Sequence, residues 1–307
     1  MTIKPAATTQ TTAPPSSTRV WTARAILGFA LITLIWGSFS VAAKVGVQSV
    51  PPLLLGGLRF TLAGAILFGV SLARHEKILL PRTQLLRVVL LSFLTVSLSN
   101  AAFFWAIQYA PAGTLTTIWA TAPIFTTLFN SGASNEARGW RLILSLAIGL
   151  GGVGLVFLDK LGVGSGLAIA ADSAVLVSAA VYGLGMRVAK NALGALPVLQ
   201  LSAWQLLLGG LIIATASVLF ERGQPVDWTP LSVGILFYMI LITGSLASVL
   251  TFWLIKRIGT IRTTYNSFLV PGLALFLGHL LLGEPITLPK VAGMVLVIGG
   301  LALVGRS

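Results

Sequence analysis

The sequence predicts an all-α membrane protein: ten transmembrane helices, built as two inverted five-helix repeats around a central cavity. Three observations predict it. Of 307 residues, 56% are hydrophobic and 9% charged, whereas a soluble domain carries about 25% charged residues. Apolar runs of about 20 residues, each long enough to cross a hydrocarbon core of ~30 Å as a helix, recur along nearly the whole chain. The chain also echoes itself when slid by 148 positions. The apolar segments are continuous rather than alternating, which excludes a porin-type barrel.

Residues 1–22, rich in Thr, Pro, Ala and Ser, read as a disordered cytoplasmic tail. No apolar core follows closely on a charged start, so a cleaved signal peptide is not expected. The spans then fall at 24–48, 53–73, 85–109, 111–131, 140–157, 165–188, 197–220, 230–256, 262–283 and 288–305. The first is the apolar run after Arg24. The second starts behind Pro51-Pro52, the third behind Pro81 and the fourth at Pro111. The fifth follows Glu136 and is rich in glycine (Gly149, Gly151, Gly152, Gly154). Gly162 to Gly164 precede the sixth, Pro197 opens the seventh and Pro225 precedes the eighth. The ninth follows Lys256, Arg257 and Arg262, and the tenth, near Pro289, carries Gly293, Gly299 and Gly300. Gly and Pro are the strongest local breakers, and the gaps they mark leave no room for a soluble domain.

Charge sets the orientation. With the tail inside, fifteen of the 20 basic residues fall on the inner side, including Arg74, Lys77, Arg82, Arg87, Arg138, Arg141, Arg187, Lys190, Lys256, Arg257 and Arg262. Five fall on the outer side or in the outer half: Lys44, Arg59, Lys160, Arg222 and Lys290. This bias satisfies the positive-inside rule with both termini cytoplasmic. The net charge of +13 is spread over short loops, so no nucleic-acid partner is expected.

At the offset of 148, Phe104-Trp105 falls on Phe252-Trp253, Thr116 on Thr264, Pro123 on Pro271, Glu136 on Glu284 and Gly151-Gly152 on Gly299-Gly300. An offset of 146 places Trp36-Gly37 on Tyr182-Gly183. Two halves follow, 23–160 and 161–307, with five spans each. Five is odd, so the second half enters the membrane from the opposite face. Inverted repeats of this kind mark transporters, with sites near the midplane where the repeats meet.

The stretches IWGSFSVAAKVGVQ, PPLLLGGLRF and FFWAIQYAPAG, the APIF run with the Glu136 turn, FWLIKRIGT and LVPGLALFLGHLLLGEPIT resemble, in this order, the drug/metabolite transporter superfamily, specifically its ten-helix EamA type. The resemblance covers about 24–305 and extends to the YddG-like branch of aromatic amino-acid and paraquat exporters. It implies export of amino acids, other small metabolites or drugs across the inner (plasma) membrane.

Polar groups are costly in lipid, so the polar faces of spans should meet a cavity or a neighbour. Ser97, Asn100 and Phe104 share one face of span three, and their partners at the 148 offset are Ser245, Ser248 and Phe252. Thr116 and Trp119 on span four pair with Thr264 and Ser267 on span nine. Spans one and six add Trp36, Ser40 and Tyr182, and span seven adds Trp204. Two readings stand side by side for this set: a substrate-binding cavity, or interhelical packing by small polar residues. Trp105 and Trp253 lie near span ends, where Trp often anchors at the interface.

Arg59, Lys44 and Asp172 are coupling or vestibule candidates. A cation at mid-helix costs about 2.5–3.5 kcal/mol on insertion scales; Lys44 can snorkel outward. Asp172 is the one carboxylate within a span, where a proton-coupled carrier would use a group with a raised pKa. Glu136 and Glu284 suit the N-termini of spans five and ten, and His279 suits a hydrogen bond to a neighbouring helix. The glycines of spans five and ten allow close helix approach, so both spans read as scaffold.

An enzyme is not expected. There are two His, no Cys, no acid pair at catalytic spacing and no metal-ligand cluster, hence no catalytic residues, metal or cofactor. No GxxxxGK[ST] loop is present for ATP-driven transport. The expected partners are a small-molecule substrate and the lipid bilayer, and one copy of the chain suffices. A metabolite exporter working by alternating access, most of all for neutral or aromatic amino acids, is the leading expectation. A lipophilic-cation exporter and a channel are the alternatives.

Overall fold

A computed structural model describes residues 22–305 apart from 77, 131–135, 159–165, 194, 259–262, 264 and 265. Among the described residues all regular structure is helical: α1 (Ala23–Gly46), α2 (Pro52–Ala73), α3 (Arg82–Ala106), α4 (Ala112–Trp119), α5 (Ala122–Asn130), α6 (Glu136–Leu158), α7 (Gly166–Leu193), α8 (Val198–Phe220), α9 (Pro230–Ile258), α10 (Asn266–Leu282) and α11 (Leu288–Gly305). Six of these, α1, α2, α3, α7, α8 and α9, are long and apolar enough to cross a membrane; 143–156, 269–282 and 288–303 are shorter apolar stretches.

The helix starts follow local chemistry. The Thr22 hydroxyl accepts from Ala25 N at 3.3 Å at the head of α1, and Thr229 does the same for Ser232 N at 3.1 Å in α9, each satisfying one orphan donor. Pro52 and Pro230 sit in the first turns of α2 and α9, where a missing N–H costs nothing. The fourth expected span is broken in two at Ala120-Thr121. Pro123 cannot donate back to the preceding turn, and the Thr121 hydroxyl bonds the Ile118 carbonyl at 2.7 Å instead.

Two helices carry π-helical turns, Phe93–Leu98 in α3 and Met239–Leu246 in α9. In each a serine closes the wide turn. Ser97 donates to the Ser92 carbonyl at 3.4 Å and across to Gly209 of α8 at 3.1 Å. Ser245 donates to Ile240 at 3.0 Å and across to Ala63 of α2 at 3.4 Å.

Helix pairs α2–α8 and α6–α11 make the most extensive contacts. Both rest on glycine. A Cβ on Gly64 would strike the Leu207 backbone, and one on Gly210 the Thr61 backbone. A Cβ on Gly152 or on Gly293 would each strike the other's carbonyl, and one on Gly300 would meet that of Ser145. Gly151, Gly154 and Gly299 have no such neighbour, so only part of the glycine pattern in α6 and α11 serves the close approach.

One end of the bundle is tied shut. Lys44 Nζ donates to the carbonyls of Ile107, Gln108 and Ala110 at 2.7, 3.3 and 3.0 Å, the loose end of α3. The Glu221 carboxylate accepts from Leu53 N and Leu54 N at 2.8 and 2.9 Å, heading α2. Glu284 accepts from Ala112 N and Gly113 N at 2.7 and 3.3 Å, heading α4. Asp227 N reaches the Ser49 carbonyl at 2.8 Å. Glu284 therefore caps a neighbouring helix, not the α11 that follows it, because its carboxylate meets the bare N–H groups behind Pro111 while α11 begins four residues later at Leu288. The side chain of Glu136 lies outside the described residues.

Candidate functional site

A cavity of about 250 Å³ opens between α1, α2, α3, α4, α5 and α7 to α10; among the described residues, α6 and α11 contribute no lining residue. Its walls are aromatic. Trp119 stands edge-on to Phe103 at 5.7 Å and tilts on Tyr182 at 5.6 Å. Phe39 stacks on Phe103 at 5.6 Å and meets Trp36 edge-on at 6.0 Å. Such geometries favour the ring quadrupoles and hold the walls in place.

Polar groups interrupt these walls at a few points. Asn100 points Nδ2 at the Thr95 carbonyl of its own helix at 2.9 Å, leaving its amide oxygen for other donors. Thr116 returns its hydroxyl to the Ala112 carbonyl at 2.8 Å. Ser248, Phe252 and Ser267 complete the lining on the α9 and α10 side.

The floor is Arg59. It is buried, with its guanidinium 4.3 Å from the centres of both the Phe39 and the Phe60 rings. Nη2 donates to the Thr243 carbonyl at 3.1 Å, while Nε and Nη1 have no hydrogen-bond partner among the described residues. No Asp or Glu lines the cavity among the described residues.

Of the sequence candidates, the cavity brings together Trp36, Arg59, Asn100, Thr116, Trp119, Tyr182, Ser248, Phe252 and Ser267. It does not include Ser97 and Ser245, which bond between helices as described, nor Ser40, which is buried in α1. Phe104 is fully buried behind the wall, edge-on to Phe39 at 6.0 Å. Trp204 points away; its Nε1 donates to the Ile78 carbonyl at 2.8 Å and its ring meets Phe68 at 4.8 Å. Lys44 belongs to the tied end, and Asp172 is buried in α7 apart from the cavity. His279 bonds the Glu284 carbonyl at 2.9 Å in the turn after its own helix, not another span. Thr264 lies outside the described residues.

Thr95, Gln205 and Thr243 line the cavity without having been singled out. Gln205 Nε2 donates to Thr95 Oγ1 at 2.7 Å. The signal was present in the repeat: Thr95 and Thr243 are 148 positions apart, and Arg59 and Gln205 are 146 apart.

Comparison with known proteins gives the same class. The model of the EamA-like transporter family matches residues 23–158 and again 169–306. The uncharacterized transporter YoaV of Bacillus subtilis is 28% identical over 91% of this chain and 95% of its own. The uncharacterized inner membrane transporter YedA of Escherichia coli K12 is 30% identical, over 86% of this chain and 84% of its own. A probable amino-acid metabolite efflux pump of Salmonella typhimurium is 29% identical over 88% and 91%. A solved crystal structure shares the fold, with a TM-score of 0.62 and 18% identity over 92% of this chain and 97% of that one. An all-helical chain with six strongly apolar helices, matched twice along its length by one family model, belongs to the EamA-like transporter family of multi-pass inner-membrane proteins.

Proposed function

We propose that the chain is a secondary transporter that exports small metabolites, amino acids first among them, by alternating access. In this reading, ten helices form two units, 23–160 and 161–307, inserted with opposite orientation and with both termini in the cytoplasm. The observation that carries it is the cavity, whose walls come from both segments that the family model matches.

Repeat-related contacts support the two-unit arrangement. Ser97 bonds Gly209 and Ser245 bonds Ala63; each member of the first pair lies 148 or 146 positions from its counterpart in the second. Gly64 against Leu207 and Gly210 against Thr61 form another such pair of pairs. Arg59 to Thr243 and Gln205 to Thr95 form a third. Reciprocal contacts of this kind are what a two-fold relation within the chain produces.

The lining reaches Thr126 midway along α5, Ala189 and Ile255 in the last turns of α7 and α9, and Asn266 at the start of α10. The exposed Arg187, Lys256 and Arg257 belong to the same helix ends, which the positive-inside rule assigns to the cytoplasm. The opposite end is tied shut, so the arrangement fits a cavity that faces inward. The volume of about 250 Å³ lies just below the ~300–1,000 Å³ of sites for drug-sized ligands, which favours a small metabolite. The name of the Salmonella relative supports amino acids. The test is counterflow in proteoliposomes: saturable exchange of labelled for unlabelled amino acid is expected, whereas non-saturating conductance would make the chain a channel.

A further inference from the structure

We propose that Arg59 is the anchor for a carboxylate, and that the cavity takes small organic carboxylates with an aromatic or apolar body and rejects lipophilic cations. The proposal deepens the transporter reading and rests on it only in treating the cavity as a substrate site.

Arg59 is a buried cation with one protein acceptor. Its Nη2 bonds the Thr243 carbonyl, and its Nε and Nη1 bond nothing among the described residues. The Phe39 and Phe60 faces offset part of the burial cost by cation–π attraction, yet two donors of a charged group remain unmatched, which is expensive in a dry site. The packing does not require the charge. The position 146 further along is Gln205, and its neutral amide makes the corresponding tie to Thr95 at 2.7 Å. The charge of Arg59 therefore has a use that the helix contact leaves open.

The chemistry of that use follows from the lining. Nε and Nη1 each share an edge of the planar guanidinium with Nη2, whose single bond to Thr243 leaves it a second N–H, so one edge can still meet the two oxygens of a carboxylate. No second cation lines the cavity among the described residues, so the extra charge of a phosphate dianion would have no partner. No acid lines it either, so a cationic ligand meets the Arg59 charge with only aromatic faces and neutral acceptors to offset it. Nε and Nη1 are covered in this state. The Phe39 ring, which both covers the guanidinium and lines the cavity, is the side chain that moves aside to admit the carboxylate. The ligand body then rests on Trp36, Phe103 and Trp119. An amino group finds only neutral acceptors such as the Asn100 amide oxygen, so the carboxylate counts for more than the ammonium.

The experiment is a titration of the purified full-length chain, followed by tryptophan fluorescence, with 3-phenylpropionate, its neutral isostere 3-phenylpropionamide and 2-phenylethylammonium. The acid is expected to bind at least about tenfold tighter than the amide, since hydrogen bonds to charged groups are the strong ones, and the ammonium is expected not to compete. In Arg59→Gln the acid should fall to the affinity of the amide while the amide keeps its own. Equal affinity of acid and amide in the unaltered chain, no binding of the acid, or an undiminished preference in Arg59→Gln overturns the proposal. Should Arg59→Gln fail to fold, the ratio in the unaltered chain decides. Acid-selective binding without counterflow of any substrate would remove the transporter reading and keep the anchor; counterflow that ignores the acid-to-amide difference would do the reverse.

Discussion

At the scale of single residues, the site separates side chains that touch the cavity from those that hold its walls. Trp119 is wedged between Phe103 and Tyr182 with one face on the lumen. Trp119→Ala is expected to lower uptake by at least about tenfold, with normal membrane insertion and gel-filtration behaviour, since aromatic truncation costs several kcal/mol where the ring is buried by ligand. Trp204→Phe keeps an aromatic ring beside Phe68 and loses both the indole bond to Ile78 and the volume of the second ring. It should lower thermal stability by at least about 1 kcal/mol and leave the substrate KM unchanged. The sequence could not separate these two tryptophans, because both sit deep in apolar spans and differ only in which neighbour lies opposite. The polar stripe of span three misled for a definite reason. Ser97 belongs to the π turn Phe93–Leu98, where an extra residue per turn rotates the face away from the i, i+3, i+7 register. Asn100, beyond that turn, reaches the lumen and Ser97 does not.

At the scale of elements, the boundaries were written in proline, glycine and threonine, and the helices begin and end within a few residues of the expected spans. The π turns were not legible, since no residue pattern specifies them. The pairing of α2 with α8 was not legible either; Gly64 and Gly210 stand among many glycines, and only their neighbours reveal their use. Gly210→Val places a branched side chain against the Thr61 backbone. It should cost at least the ~1–3 kcal/mol typical of overpacking, visible as a lowered melting temperature in detergent, whereas Gly151→Ala, inside a helix with open space around it, should melt no lower than the unaltered chain. Glu284→Gln retains the shape of the cap on α4 and loses its charge. A drop of about 1–2 kcal/mol is expected, because a carboxylate at a helix N-terminus answers both the bare N–H groups and the helix dipole.

For the whole molecule, the membrane class and family were legible from composition, run length and motif order, because lipid forces backbone groups to be satisfied within each span. The orientation rests on charge, and it is open to direct measurement because the chain has no cysteine to confuse a label. Gln48→Cys, exposed in the turn after α1, should react with a membrane-impermeant maleimide from outside. Arg74→Cys, exposed after α2, should react only after the cytoplasmic side is opened. Labelling of both from the same side would end the proposed topology.

The carboxylates of Glu221 and Glu284 have a consequence for flux. Both belong to the later half of the chain, and both grip helices of the earlier half at one rim. In the proposed alternating-access cycle, letting go breaks four charge-assisted bonds together, so the unloaded carrier has little incentive to turn over, while bound cargo can supply the missing drive. Loaded-for-loaded swapping should therefore outrun one-way release, and a pulse of unlabelled cargo on the far side should accelerate the departure of labelled cargo from the near one.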